Sequence, residues 1–205
     1  MRRGPVRLPI LIAAFTLGAS AAVAQDAPTQ LFVSPMGEPF RATASQPYPS
    51  AAWFAQADAN HDGVITRSEF RADAERFFKT LDVNGDGKLN DMEMQRYEVL
   101  VAPEILSAVV DASQNDPVGK DFKGDPKQQT LSDVRQGAAY FGVIGDPEPV
   151  RSADGDFNMK VTLDEWMAAA DRRFRILVGD NDGLKLSDLA KTPFQIQYET
   201  SHKKR

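Results

Sequence analysis

Two twelve-residue segments, 58–69 and 82–93, place an oxygen donor at nearly every second position and close on a glutamate. That spacing answers one physical demand. A hard cation such as calcium takes six to eight oxygens at roughly 2.3–2.6 Å, and a short peptide supplies them by alternating ligands around a sharp glycine turn. In the first segment Asp58, Asn60 and Asp62 offer side-chain oxygens and Val64 its carbonyl. Thr66 acts directly or through water, and Glu69 closes the shell in bidentate fashion. Gly63 provides the positive-φ turn, and Ile65 points to the core. In the second segment Asp82, Asn84, Asp86, the Lys88 carbonyl, Asn90 and Glu93 take the same places, with Gly87 at the turn and Leu89 inside.

A third segment, 154–165, keeps the ligands as Asp154, Asp156, Asn158, the Lys160 carbonyl, Thr162 and Glu165. It departs at the turn, where Met159 replaces glycine. A Cβ in a left-handed conformation costs about 1–2 kcal/mol, which weakens binding by about tenfold. A fourth segment around Asp180, Asp182 and Gly183 has Val178 in place of the first Asp and no closing Glu. It reads as a relic kept for packing, with Leu184, Leu186 and Leu189 as core.

The twelve-residue pattern resembles the EF-hand family of calcium-binding proteins, in an exported bacterial form. The resemblance implies an all-α fold of helix-loop-helix repeats, with short β contacts between loops, and calcium as ligand in the first two loops and more weakly in the third. Trivalent lanthanides are the alternative metal. Ala59, Val83 and Gly155 after each first Asp, and Thr66, Asn90 and Thr162 in place of further acids, favour calcium.

Residues 70–81 align with residues 166–177 at an offset of 96, the same offset that separates Asp58 from Asp154. One helix-loop-helix-loop unit therefore occurs twice. Between Glu69 and Asp82 there is room for one helix only, so a single central helix must leave the first loop and enter the second. Two such blocks packed antiparallel bring the first loop to the fourth and the second to the third, with Ile65 facing Leu184–Leu186 and Leu89 facing Val161. The blocks fall at residues 50–110 and 130–195, joined by a polar linker at 111–129. Residues 25–49 read as an extended leader and 196–205 as a tail, frayed over its basic end at 201–205.

Residues 1–24 carry Arg2, Arg3 and Arg7 ahead of a short apolar run and end on Ala22-Val23-Ala24, the form of a cleaved export signal. The expected location is the periplasm or the cell exterior, with no membrane span once the signal is gone. The chain has no Cys, so no disulfide framework fastens it, and bound metal is the candidate substitute. With 29 acids against 24 bases, no nucleic-acid footprint is expected. The two histidines, His61 and His202, do not form a catalytic group with any nucleophile, and no phosphate loop is present, so the chain reads as non-catalytic. Two functions remain open: a calcium-stabilised structural binder or buffer, and a sensor or regulatory subunit acting on an unidentified envelope protein. Few methionines flank the loops, which favours the first.

Overall fold

The computed structural model describes residues 29–107 and 136–202. The segments expected to be an export signal, at 1–24, and a polar linker, at 111–129, lie outside the described residues. The chain opens on a hairpin, β1 (Gln30–Val33) paired antiparallel with β2 (Pro39–Ala42), Phe32 opposite Phe40. Helix α1 (Ser50–Ala57) enters the first loop, and α2 (Arg67–Leu81) joins the first loop to the second. The two-residue strand β3 (Lys88–Leu89) precedes α3 (Asp91–Arg96), which ends in one π-helical turn at Tyr97–Val101. A short helix α4 (Ala138–Phe141) and a 3-10 turn at Arg151–Ala153 lead to the third loop and to β4 (Val161–Thr162). Helix α5 (Leu163–Val178) follows, and α6 (Pro193–His202) is the last element among the described residues.

The architecture is helix-rich and centres on α2 against α5. Phe70 near the start of α2 packs on Phe174 near the end of α5 at 5.4 Å, while Phe78 near the end of α2 packs on Trp166 near the start of α5 at 5.8 Å. The two helices therefore run antiparallel. Phe70, Ala74, Phe77, Phe78 and Leu81 fall at helical spacing on one buried stripe of α2, and this apolar face accounts for its helicity. Arg67 and Arg71 both pair with Asp171 of α5 on the rim.

Three expectations change. Residues 25–49 are not an extended leader from residue 29 onward. Leu31, Phe32 and Val33 are all buried, because neighbouring elements cover both faces of β1. Phe32 lies 5.7 Å from Trp53 of α1, and the Tyr48 hydroxyl donates to the Leu31 carbonyl at 2.8 Å. The tail is likewise helical through His202. Its start is capped by buried Thr192, whose hydroxyl accepts from the Gln195 N–H, and Phe194 seats the helix on Phe141 at 5.3 Å. In the fourth segment Leu184 is buried and Leu189 is partly buried, but Leu186 is 41% exposed because it opens a 3-10 turn on the surface.

Candidate metal centre

Each loop starts at the C-terminal end of one helix and finishes in the N-terminal cap of the next. Asp58 follows α1 and Asp82 follows α2, each donating its cap N–H back to the preceding turn, to Phe54 and Phe78. At the far end the ninth loop residue is an N-cap and the closing glutamate is the third helical residue. Thr66 with Glu69, Asn90 with Glu93 and Thr162 with Glu165 each form a reciprocal capping box. The ligand sequence of the loop and the start signal of the helix are thus the same residues.

The acidic side chains turn inward on the loop backbone. The Asp58 carboxylate accepts from the N–H groups of Asp62 and Gly63, at 3.2 and 2.9 Å. Asp82 accepts from Gly85, Asp86 and Gly87, and Asp154 from Asn158 and Met159. The residue at the third position of each loop takes the N–H of the fifth: Asn60 from Asp62, Asn84 from Asp86 and Asp156 from Asn158. The fifth takes the N–H of the seventh, Val64, Lys88 and Lys160 in turn. These bonds wind each loop backbone around its own acidic side chains, and among the described residues it is the third loop whose three carboxylates gather within 4.8 Å of one another.

The closing glutamates span their loops. One oxygen of Glu69 accepts from Asn60 N–H and the other from Thr66; Glu93 bridges Val83 and Asn90, and Glu165 bridges Gly155 and Thr162. Hydrogen bonds from the Thr66 hydroxyl and then from backbone N–H groups hold the Glu69 carboxyl below its usual range, and the Thr162 hydroxyl does the same for Glu165. Both acids therefore stay ionised, as a cation ligand must. The Thr66 and Thr162 hydroxyls donate to these glutamates at 2.7 Å, which orients the closing carboxylates.

The residues present fit a hard cation. In the third loop, oxygens of Asp154, Asp156 and Glu165 lie within 4.8 Å of one another. All three donors are carboxylates, the chemistry that suits calcium rather than a soft metal. Met159 does sit in the left-handed region at φ 65°, where Gly63 and Gly87 stand in the other loops at 86° and 78°.

Sequence reasoning did not anticipate a second strained place two residues earlier. His61, Gly85 and Phe157 all take positive φ at the fourth position, at 59°, 71° and 61°. The glycine at 85 was the available signal. Also unforeseen was Arg151, just ahead of the third loop, which pairs with Asp91 near the end of the second loop and with Glu98 beyond it.

The inner residues of the loops pair across the two halves. Leu89 lies opposite Val161 in the β3–β4 ladder. Ile65 and Leu184 form an isolated bridge, N–H to carbonyl in both directions at 2.8 and 3.0 Å. Ile65, Leu89, Val161 and Leu184 are all buried.

The family model described as EF hand matches residues 51–72 and 74–100, one match around each of the first two loops. Neither curated proteins nor solved structures give a match to the chain.

Proposed function

We propose that this chain, an EF-hand calcium-binding protein over residues 51–72 and 74–100, is an exported, non-catalytic binder that uses calcium to hold its own fold together. The observation that carries the reading is the double role of Glu69, Glu93 and Glu165. Each closes a loop and caps the helix behind it, so a bound ion and an ordered helix depend on the same carboxylate. An ion present at about a hundred times its dissociation constant adds about 2.7 kcal/mol per site to the folded state. For a chain without Cys that is a substantial fraction of ordinary domain stability. The form of residues 1–24 supports export, and the ligand set of the third loop supports a third, weaker calcium site.

Calorimetric calcium titration, with circular dichroism in calcium and in chelator, tests this. Two or three sites and a large gain of helix are expected. Binding without any change in helix content or melting temperature would sink the structural role.

One observation favours a second reading, in which the protein regulates an envelope partner. Phe157 is 88% exposed and Met159 73% exposed on the third loop, and large apolar side chains so placed are common in contact surfaces. Calcium-dependent capture of one defined envelope protein, abolished by Phe157→Ser, would favour it.

A further inference from the structure

Gly183 lies in the fourth segment, which lacks a first Asp and a closing Glu. Its backbone does not take the positive φ of a turn glycine: Gly63 and Gly87 do, and Gly183 does not. What requires glycine is space. A Cβ there would stand 2.4 Å from Val64 Cγ1 and 3.2 Å from the Ile65 carbonyl oxygen. The Ile65 oxygen cannot simply withdraw, because it accepts the Leu184 N–H at 3.0 Å, while the Ile65 N–H donates to Leu184 at 2.8 Å. In the other loop pair the corresponding places, just before Leu89 and Val161, hold Lys88 and Lys160, both exposed. Glycine is therefore not a general demand of the position. It is specific to the close approach of the fourth segment to the first loop.

We infer that Gly183 is a positioning residue for the first calcium loop: by admitting Val64 and Ile65 at close range, it sets where the Val64 carbonyl stands. The inference rests on the calcium reading above. A segment that holds no ion of its own then tunes the affinity of one that does. A methyl group at 183 pushes against Val64 and parts the Ile65–Leu184 bridge. That displaces one ligand of the first loop and leaves the second loop, at the other end of α2, unaffected.

The amide N–H groups of Gly63 and Gly87 report the two loops separately, since each is bound to the first Asp of its own loop, at 2.9 Å in both cases. In ¹⁵N-labelled protein the two amide signals are followed through a calcium titration, for the unaltered chain, Gly183→Ala, Val64→Ala and Gly183→Ala with Val64→Ala. Gly183→Ala is expected to raise the calcium midpoint of Gly63 about fivefold or more, the lower range of a typical coupling between sites, with Gly87 unmoved. Adding Val64→Ala, which keeps the ligand carbonyl and removes Cγ1, restores most of the affinity. Should the single variant not fold, the double variant against Val64→Ala alone carries the comparison. An unmoved Gly63 midpoint, an equal shift of Gly63 and Gly87, or no recovery in the double variant overturns the inference. Absence of any calcium response in the unaltered chain overturns the calcium reading itself, and this inference with it.

Discussion

The indole N–H of Trp166 donates a hydrogen bond of 2.8 Å to the carbonyl oxygen of Ala74, tying the first turn of α5 to the middle of α2. The ring also packs on Phe77 and Phe78, and it is fully buried. Replacing it by phenylalanine removes the donor and leaves unfilled space. Trp166→Phe is expected to cost about 1–3 kcal/mol of unfolding free energy, read from guanidinium unfolding in saturating calcium. A loss under half that would mean that the helix pair does not depend on this contact.

Glu93→Gln separates the two duties of a closing residue. Glutamine still completes the capping box with Asn90, but it cannot offer the two anionic oxygens that close a calcium shell. Affinity at the second loop should fall by about tenfold or more, while calcium-free stability changes by less than about 0.5 kcal/mol. Calorimetry and chelator-side melting curves read the two quantities independently.

Met159→Gly removes the left-handed strain recorded at that residue. Relief of about 1–2 kcal/mol should tighten the third loop by about tenfold, visible as a calorimetric step that moves toward the first two. No change would place the weakness of that loop elsewhere.

The Gly37 backbone turns at φ 100°, and a Cβ there would meet Tyr97 Oη at 2.9 Å and Pro149 Cγ at 3.0 Å. Tyr97 is buried and donates its hydroxyl to the Gly37 carbonyl at 2.8 Å. Gly37→Ala should therefore lower stability by more than about 1 kcal/mol. If the melting temperature holds, the hairpin is not part of the cooperative fold.

Burial pushes the Tyr48 phenol up to about 12 from an ordinary value near 10. A group that holds its proton more tightly when folded stabilises the protein fully below the unfolded value. That contribution fades as pH rises toward the folded value. Unfolding free energy should thus drop between pH 10 and about 12, and Tyr48→Phe should drop less over the same interval. Urea unfolding across that range measures the difference in slope. Parallel slopes would mean that Tyr48 does not titrate with unfolding.

The first two loops were legible because a calcium shell requires particular atoms at particular intervals, Asp58, Asn60, Asp62 and Glu69 offer such atoms, and the family match falls around both loops. The partner of Leu89 could be named as Val161 from the 96-residue offset together with a helix too short to be two. The hairpin was not legible. Leu31-Phe32-Val33 is an unbroken apolar run, which shows no alternation when both faces of a strand are covered. Helix α6 was hidden for a related reason: its order comes from Thr192 and Phe194 meeting α4 and Tyr48, contacts across about fifty residues or more of chain. Hydropathy places Leu186 in the core, and a 3-10 turn carries it outward. Arg173, on the buried side of α5 with its guanidinium on Asp146 and the Pro149 carbonyl, had no sequence signature.

The antiparallel pair of α2 and α5 is stitched at each end, by Ile65 with Leu184 and by Leu89 with Val161. It behaves as a beam held at both supports. Prying the helices apart at one end must either break that bridge or lever against the other, so a hinge-like opening has no free end from which to start.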